Sequence, residues 1–317
     1  MKIVIPGGSG QVGQVLARAF LKDGHDVVIL TRQPAVKAVG RSVFWDGRTL
    51  GDWTGEFETA DVVINLAGKS VNCRYTPGNR EEITRSRVDS TKVVGQGIAR
   101  AECPPRLWLQ AATATIYSHL YDAPNDEASG IIGGHEENVP ETWRFSIDVA
   151  NAWERAFHEA PLSPRTRKVL LRSAVILSPD RGGIFDVLLG LVRHGLGGQV
   201  GDGRQFMSWI HDTDFIRAIY WLITHENLEG AVILASPNPL PNAEFMRVLR
   251  EAWGTRVGLP ASKWMLEIAT FFMRTETELI LKSRRVVPGR LLQDGFKFQF
   301  ADWPDAARDL CRRWRLM

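Results

Sequence analysis

The stretch PGGSGQVG, from Pro6 to Gly13, lies between the apolar segment MKIVI and an amphipathic stretch at 11–22. Its glycines at positions 7, 10 and 13 have the spacing G-x-x-G-x-x-G. Between a strand and a helix, such glycines allow a tight turn, a close approach of the backbone to a pyrophosphate, and close packing of the helix on the strand. The free N–H groups at the start of the helix then face the phosphates. The residues of this predicted pyrophosphate site are Gly7, Gly10, Gln11, Val12 and Gly13.

Strand and helix patterns alternate from the N-terminus to about residue 175. After the first strand and helix, the apolar runs are 26–31, 43–45, 61–67, 107–112 and 168–176, and the helical patterns are about 79–100 and 143–158. Runs that are apolar on both faces are typical of parallel strands covered by helices on both sides. The pattern predicts an α/β fold with a doubly wound parallel sheet of the Rossmann type.

The alternation ends near residue 180. The segment 181–203 has a helical pattern that runs into a glycine-rich loop, and the segment from about 242 to 317 is mainly helical. We expect a cofactor-binding domain at 1–180, to which sheet elements return from 205–235. A smaller, mainly helical substrate domain at 181–317 should fold back over the carboxyl edge of the sheet.

Composition argues against several classes of function. The 317 residues have a net charge of +3 with acids and bases interspersed, which disfavours nucleic-acid binding. No apolar run approaches the roughly 18 residues of a membrane span, and the N-terminus lacks a signal-peptide pattern. Three scattered cysteines fit a reducing compartment, and the seven histidines lack metal-site spacing. We expect a cytoplasmic protein without a metal, acting on a small molecule as a monomer or homodimer.

The end of the second strand bears on the choice of cofactor. Sites for NAD place Asp or Glu there to bind the 2′-hydroxyl of the ribose. This chain has Thr31 and Arg32 at that place, and Asp26 lies at the other end of the strand. An arginine favours a 2′-phosphate, so the sequence predicts NADP(H); the alternative is that Arg32 is a solvated loop side chain. The fourth strand ends in NLAG, where the small residues let the backbone run beneath a ribose; this adds Leu66, Ala67 and Gly68 to the predicted cofactor contacts.

Together these segments resemble the extended short-chain dehydrogenase/reductase superfamily, which includes sugar-nucleotide epimerases and dehydratases. The similar segments are GGSGQVG, NLAG, ATATIY (112–117), LRSAVILSP (171–179) and GDGRQFMSWIHDTDF (201–215). A narrower resemblance, to atypical "epimerase family" proteins with a C-terminal domain of unknown function, rests on 73–91, 242–245 and 283–298. It spans essentially the whole chain. The resemblance implies further cofactor contacts at Ala111, Ala112 and Ser173.

The resemblance also implies a catalytic Ser or Thr together with a Y-x-x-x-K pair. In the superfamily the tyrosine is the acid or base at the substrate oxygen, while the lysine lowers the tyrosine pKa and holds the nicotinamide ribose. ATATIY places the hydroxyl at Thr113, but the sequence has no Y-x-x-x-K. If Glu154 is the acidic residue four beyond the lysine, the tyrosine and lysine places are Ser146 and Ala150. A shift by one residue gives Phe145 and Val149.

Three residues near Thr113 are candidates for the missing acid. They are Tyr117, which we take as the leading candidate, Tyr121 and His119. For each, a packed or surface position is the alternative.

The substrate half departs from the superfamily as well. The segment 201–215 resembles G-D-G-x-Q-x-R-D-F-x-x-x-D-D, whose arginine holds the diphosphate of a sugar nucleotide, but Met207 occupies the arginine position. We expect substrate contacts at Arg204, Trp209 and His211 instead; a buried, hydrogen-bonding histidine is the alternative for His211. Arg74 and Arg87 are either anion contacts or charges on a helix surface.

Two functions are compatible with these features. The first is an NADP(H)-dependent, epimerase-like oxidoreductase that moves a hydride at a small carbonyl or alcohol, with Thr113 in a non-standard catalytic site. The alternative is a non-catalytic NADP(H)-binding protein that senses redox state or acts as a scaffold. The retained threonine and the polar loop favour the first, and the missing tyrosine and lysine favour the second.

Overall fold

The computed structural model describes residues 1–34, 39–137, 139–161, 164–260 and 282–317. Its strands, in chain order, are β1 (Lys2–Pro6), β2 (Asp26–Thr31), β3 (Arg41–Phe44), β4 (Val62–Asn65), β5 (Leu107–Thr113), β6 (Arg167–Ser173), β7 (Val175–Leu177), β8 (Phe206–Met207), β9 (Trp209–His211), β10 (Gly230–Leu234) and β11 (Leu240–Pro241). Its α-helices are α1 (Gln11–Lys22), α2 (Pro77–Arg100), α3 (Glu141–Glu159), α4 (Ile184–Arg193), α5 (Asp212–Thr224), α6 (Asn242–Trp253), α7 (Gly289–Gln293) and α8 (Trp303–Arg315). None of these described helices is both long and apolar enough to cross a bilayer.

Within the described ranges, seven parallel strands form the central sheet in the order β10-β6-β5-β4-β1-β2-β3. Strand β1 pairs with β2 on one side and with β4 on the other, so the strand order reverses beside β1. In such sheets, ligands bind in the crevice outside the carboxyl ends of the strands at this reversal. The sheet confirms the predicted doubly wound fold and directs attention to the ends of β1, β2, β4 and β5.

Helices cover both faces of the sheet, as the apolar strands require. On one face α1 and α5 contribute Leu16, Phe20 and Phe215 to a core cluster with Ile5 and Ile29. On the other face the cluster includes Val94 and Ile98 of α2 and Phe157 of α3, all packed against strand residues such as Val4 and Trp108. Burial of these two faces supplies the main hydrophobic contribution to folding.

The C-terminal region is smaller and mainly helical, as predicted. Helices α4, α6 and α8 share a third core cluster in which the rings of Phe245 and Trp303 stack with centroids 4.0 Å apart. The guanidinium of Arg313 donates to both oxygens of Asp212 at 2.8 and 2.7 Å, which joins α8 to the start of α5. Strand β10, from the segment expected to return to the sheet, pairs with β6. The exact boundary between domains at 180/181 stays a prediction, and 261–281 of the expected helical segment lies outside the described residues.

Close packing of two glycines determines how near α1 approaches the sheet. A Cβ atom on Gly13 would lie 2.4 Å from the Cα atom of Gly8, well inside van der Waals contact. By contrast, a Cβ atom on Gly55 would meet nothing within 4 Å. The lack of a side chain at Gly13 therefore lets α1 pack closely on the turn after β1.

We predict that Gly13→Ala lowers the free energy of unfolding by about 2 kcal/mol, because overpacking of a backbone contact outweighs the gain in helix propensity. Urea unfolding followed by circular dichroism measures the change. Gly55→Ala is the matched control and should change stability by less than about 0.5 kcal/mol. Equal effects of the two substitutions would show that the Gly8–Gly13 contact does not limit the packing of α1.

Candidate functional site

The glycine turn packs directly against the loop after β4. Gly7 has φ +75°, and a Cβ atom there would lie 2.6 Å from the Cα atom of Ala67. The N–H of Leu66 donates to the carbonyl of Pro6 at 2.9 Å, and the N–H of Gly7 donates to that of Leu30 at 2.9 Å. A Cβ atom on Gly10 would meet only the carbonyl oxygen of Gly7, at 3.6 Å. The loop at Leu66 and Ala67 thus packs against the turn at Gly7, whereas the turn is open at Gly10.

The start of α1 has the features of an anion site. Gly10 is the N-cap residue, no described side chain caps the helix, and the first turn has no acidic residue. The N–H groups of the first turn, which include those of Gln11, Val12 and Gly13, have no partner within an α-helix. Together with the open face at Gly10, they provide a cradle that fits a pyrophosphate. The Gln11 side chain also extends to Gly183 at the start of α4, and Val12 packs against the core.

A cavity of about 360 Å³ adjoins this turn and is called here the basic cavity. The residues that line it include Gly7, Gly10, Thr31, Arg32, Trp45, Arg48, Leu66, Ala67, Gly68 and Lys69. The Thr31 hydroxyl donates to that of Ser9 at 3.1 Å, so the end of β2 is tied to the glycine turn. Seven of the predicted cofactor residues therefore line the basic cavity: Gly7, Gly10, Thr31, Arg32, Leu66, Ala67 and Gly68.

Three cations, Arg32, Arg48 and Lys69, line the basic cavity together with one carboxylate, that of Asp46. Lys69 pairs with Glu82 at 2.7 Å, and the Lys69 hydrogen bond together with the fields of Arg32 and Arg48 holds the pKa of Glu82 below its usual value. Arg48 lies 4.0 Å from Asp89, while Arg32 has no carboxylate partner among the described residues. Sequence reasoning missed Arg48 and Lys69. Their signal was available, since each follows the end of a strand of the parallel sheet, Arg48 after β3 and Lys69 after β4.

The NLAG loop continues from the basic cavity toward β5. Asn65 anchors it, because the side chain donates to Gln110 at 2.9 Å and accepts from the N–H of Ala67 at 3.1 Å. A Cβ atom on Gly68 would lie 3.3 Å from the guanidinium carbon of Arg87. The absence of a side chain at Gly68 thus leaves room for the guanidinium at the end of the loop.

Arg87 is a cation without a carboxylate partner in the described part of the chain. It donates to the carbonyls of Lys69 and Ile83, both at 3.0 Å, and its guanidinium lies 5.0 Å from the ring centre of Trp153. Burial lowers the pKa of Arg87 to about 10, so the side chain remains charged at neutral pH. Its place supports the anion-contact interpretation of Arg87 over that of a helix-surface charge.

Beyond Gly68, two cavities of about 240 and 550 Å³ share residues and form one cleft between α3 and α4. The residues that line both cavities are Val71, Thr113, Thr115 and Arg284. We call this the α3–α4 cleft. Ala112 lies on its α3 side, Ser173 lies on its α4 side, and Ala111 is the preceding half-buried residue of β5.

Thr113 lies at the point where the two parts of the cleft meet. Its Oγ1 accepts a hydrogen bond from the N–H of Thr115 at 3.1 Å, which fixes the side chain at the end of β5. The hydroxyl is therefore held toward the cleft, where it can donate to a substrate oxygen. Thr113 therefore lines the cleft, and its catalytic role stays a prediction.

The tyrosine and lysine places on α3 have different environments. Ser146 lines the cleft. Phe145 and Val149, the two positions of the alternative alignment, line the same side of it. Ala150 lies beneath that wall in a cluster with Tyr117. Neither alignment places a phenol or an ammonium group from α3 in the cleft.

Tyr117 lies in the core. Only 3% of the residue is exposed, and its hydroxyl accepts a hydrogen bond from Arg172 at 2.8 Å. Arg172 in turn pairs with both oxygens of Glu154, at 2.8 and 2.7 Å. Burial raises the pKa of Tyr117 despite the nearby guanidinium. The structure therefore gives Tyr117 an anchoring position between β6 and α3, outside the residues described as lining the α3–α4 cleft.

The other two acid candidates lie away from Thr113 as well. His119 accepts at Nδ1 from the N–H of Ser283 at 2.7 Å, and burial lowers its pKa. The ring of Tyr121 packs edge-on against His119, with centroids 4.9 Å apart. The His119 ring thus holds the backbone at Ser283, and the Tyr121 ring packs on His119.

The three predicted substrate residues are not brought together. Arg204 is exposed, with its guanidinium carbon 5.6 Å from the ring centre of Tyr121. Trp209 is 1% exposed and packs near Trp303 in the C-terminal cluster. From this stretch it is Ser208 that lines the α3–α4 cleft. Adjacent residues in extended chain point to opposite sides, which explains why Ser208 and Trp209 face different ways.

His211 is a buried capping residue, which is the alternative that the sequence left open. Its Nδ1 accepts from the N–H of Thr213 at 3.1 Å, and its ring stacks on Phe300 at 3.9 Å. Burial lowers the pKa of His211, against the opposing effect of Asp212 and Asp309. The neutral ring is the form that caps α5, because protonation of Nδ1 removes the acceptor.

The sequence is similar to those of known proteins. The sequence profile of the NAD dependent epimerase/dehydratase family matches residues 3–234, and a domain of unknown function, DUF1731, matches 261–310. The chain is 28% identical to the epimerase family protein SDR39U1 of Homo sapiens, over 98% of this chain and 99% of that protein. It is 30% identical to an epimerase family protein of Staphylococcus epidermidis, over 98% and 99% of the two chains.

The fold is also similar to a solved structure of high coverage. A crystal structure of human SDR39U1, isoform 2, with NADPH superposes with a TM-score of 0.84 at 26% identity, covering 98% of this chain and 99% of that one. The resemblance stated from the sequence is thereby confirmed.

We predict that His211 makes the protein less stable as the pH falls below about 6.5, the ordinary histidine pKa, because the unfolded chain binds a proton that the folded ring resists. Stability is fully present above that pH and declines toward the lowered pKa of the folded state. Urea midpoints measured from pH 7.5 to 5 should fall less steeply in His211→Asn than in the wild type. The exposed His158→Asn is the control; a wild-type slope in His211→Asn would contradict the assignment.

Proposed function

This chain belongs to the NAD-dependent epimerase/dehydratase family, and on that basis we propose that it binds NADP(H) and acts as an epimerase-like oxidoreductase on a small carbonyl or alcohol. The observation that supports this most is the basic cavity next to the uncapped start of α1. A 2′-phosphate distinguishes NADP(H) from NAD(H), and proteins of this fold bind it at the end of the second strand. Arg32 lies at that place and lines the cavity, and it has no carboxylate partner among the described residues. The NADPH in the human SDR39U1 structure supports the same cofactor.

The chain's residues fit the cofactor along its length. Arg32 and Arg48 would hold the 2′-phosphate, and the turn from Gly7 to Gly13 would hold the pyrophosphate. The NLAG loop would lie beneath the ribose on the way to the α3–α4 cleft. When bound there, the cofactor supplies or accepts a hydride.

Thr113 and Arg87 would take the polar roles at the reacting end. The Thr113 hydroxyl would donate to the substrate oxygen and stabilise negative charge on it. Arg87 lines the same part of the cleft and adjoins Gly68, so its charge would replace that of the absent lysine beside the ribose. Because α3 offers Ser146 and Ala150 in place of tyrosine and lysine, the proton would be exchanged with water in the cleft.

The same observation on α3 supports a second candidate function. Without a phenol at Ser146 or an ammonium group at Ala150, the protein would bind NADP(H) and report the redox state or hold a partner without turnover. This alternative shares the cofactor site with the first. The two differ in whether any carbonyl compound oxidises bound NADPH.

We predict that Arg32→Gln weakens NADPH binding by about 10- to 100-fold, the effect of losing a hydrogen bond to a charged group, and changes NADH binding by less than about twofold. Fluorescence titration of reduced cofactor measures both constants. Arg85→Gln, an exposed arginine of α2 that pairs with Glu81, is the control and should leave both unchanged. Equal losses for NADPH and NADH would contradict the 2′-phosphate site.

We predict that Thr113→Ala lowers kcat for NADPH oxidation by about 100-fold, since removal of one oxyanion donor has this effect in other enzymes, while NADPH affinity changes by less than about twofold. Turnover is assayed with a panel of aldehydes, ketones and sugar nucleotides. The control is Thr224→Ala, at the exposed end of α5. If the wild type binds NADPH but oxidises it with no compound of the panel, the non-catalytic function is favoured.

A further inference from the structure

We infer that the α3–α4 cleft accepts an uncharged, apolar aldehyde or ketone, or the corresponding alcohol. Its oxygen would meet Thr113, and its hydrocarbon body would lie along α4. The inference rests on the proposed function and names the substrate class of the same site. Sugar nucleotides, which epimerases of the same superfamily bind, are excluded from this class.

Helix α4 is apolar on two sides. Phe185 and Leu189 are fully buried in the C-terminal core cluster. Ile184 and Val187, on another side of the helix, are 44% and 49% exposed, and both line the wider, α4-side cavity of the cleft. Large apolar side chains that stay accessible in a cavity are typical of a binding site for an apolar group. We therefore assign this side of α4 to the hydrocarbon body of the substrate.

The sheet side of the same cavity is also apolar. Val71 follows the NLAG loop, Ala174 follows β6, and Val175 begins β7; all three line the cavity. A polyol between these walls and α4 would lose hydrogen bonds to water, whereas an alkyl or aryl group would gain from leaving water. The walls therefore select a hydrocarbon body over a sugar.

Two hydroxyl groups of this cavity are already committed to the protein. The Ser208 hydroxyl donates to the carbonyl of Arg284 at 2.6 Å, and the Ser173 hydroxyl donates to the carbonyl of Leu171 at 3.4 Å. Because each proton already has an acceptor, neither group offers its donor to a ligand without losing a hydrogen bond.

The hydroxyl groups that keep a proton for a ligand lie together at the end of β5. Oγ1 of Thr113 accepts from the N–H of Thr115 at 3.1 Å, and no described residue accepts its proton. Oγ1 of Thr115 accepts from Nε of Arg284 at 3.2 Å in the same way. Ser70 and Asn72, which also line the cavity, are exposed. Donors concentrated at one place match a substrate with one polar oxygen, because further oxygens of a sugar would lack partners along the apolar walls.

The charge in this cavity does not favour an anionic substrate. Among the described residues that line the α4-side cavity, Arg284 has the one charged side chain, and it is engaged by the protein, in part through the hydrogen bond from Nε to Thr115. Met207, at the position of the diphosphate-binding arginine, packs against the C-terminal core cluster. A carboxylate or diphosphate would lose hydration in the cleft, whereas an uncharged substrate avoids this cost.

The apolar wall is fixed relative to the glycine turn. Arg18 of α1 forms an ion pair with Asp180, just before α4. A Cβ atom on Gly183 would lie 1.8 Å from Nε2 of Gln11, so the Gln11 side chain packs directly on the backbone at the start of α4. Both contacts join α4 to the helix that begins at the predicted pyrophosphate site. The wall is therefore in place beside that site before a ligand binds.

The size of the cavity favours a body of several carbons. The α4-side cavity has a volume of about 550 Å³, within the range of roughly 300 to 1,000 Å³ that is typical of pockets for drug-sized ligands. A three-carbon ketone would leave most of this space to water. We therefore take 2-octanone as the probe and acetone as its short counterpart.

The redox step balances with the proposed cofactor. In the reductive direction, a hydride from NADPH forms the new C–H bond at the carbonyl carbon, the carbonyl π bond breaks, and its electron pair stays on oxygen. That oxygen takes a proton from water in the cleft, and solvent returns the proton. The products are NADP⁺ and an alcohol.

The test compares 2-octanone with acetone, with 2-oxooctanoate, which adds a carboxylate to the same chain, and with UDP-glucose. Isothermal titration is done on the whole chain with and without saturating NADP⁺, while NADPH binding and NADPH oxidation are measured separately. We expect 2-octanone to bind about 100-fold more tightly than acetone, because its longer chain leaves water. With NADP⁺ bound, the added carboxylate should give no tighter binding, and UDP-glucose should bind more weakly than 2-octanone.

Two substitutions test the apolar wall. Val187→Asn and Ile184→Asn place an amide at positions that are already exposed, so the fold should tolerate them. Each should weaken 2-octanone binding about tenfold and leave NADPH binding unchanged, which also shows that the variant is folded. Leu21→Asn, at a 38% exposed position of α1, is the matched control and should change neither.

Three results would overturn the inference: equal affinity for 2-octanone and acetone, tighter binding of 2-oxooctanoate or UDP-glucose than of 2-octanone with NADP⁺ bound, or wall variants that bind 2-octanone as the wild type does. Failure to bind NADPH, or failure to oxidise it with a ketone that binds, would contradict the proposed function instead. The titrations without cofactor would still decide the substrate class.

Discussion

The close approach of Gly7 to Ala67 is the constraint on which the site depends. A Cβ atom at position 7 would lie 2.6 Å from the Cα atom of Ala67, so the turn after β1 and the loop after β4 can touch only if residue 7 is glycine. That contact bridges the reversal of strand order beside β1. It places the start of α1, the basic cavity and the NLAG loop next to one another, and the α3–α4 cleft with Thr113 follows beyond Gly68.

A second constraint fixes the position of α3 through residues that do not line the cleft. The bidentate pair of Glu154 with Arg172, extended to the hydroxyl of Tyr117, fixes α3 against β6 and buries charge that would be unfavourable without its partner. The helix is therefore held against the cleft, although its cleft-facing residues include neither a tyrosine nor a lysine. The positively charged side chains that line the cleft belong to other elements: Arg87 to α2 and Arg284 to the segment before α7.

Local signals predicted the elements around the glycine turn, and longer-range features were beyond them. The bounds of α1, Gln11–Lys22, match the prediction because periodicity and turn chemistry are local. The strand ends identified Thr31, Arg32 and the NLAG loop, since parallel strands meet at one edge. Arg284 lies about 170 residues from Thr113 in the chain, so only the tertiary fold could associate them. Trp209 and Ser208 differ by one residue, and no sequence pattern showed which of the two faces the cleft.

The central claim is that NADP(H) extends from the basic cavity to Thr113. A crystal structure of the protein with NADP⁺ tests this most directly. We predict the 2′-phosphate between Arg32 and Arg48, the pyrophosphate on the first turn of α1, and the nicotinamide ring in the α3–α4 cleft with its C4 atom toward Thr113. A nicotinamide directed into solvent, or a 2′-phosphate that contacts neither arginine, would contradict it.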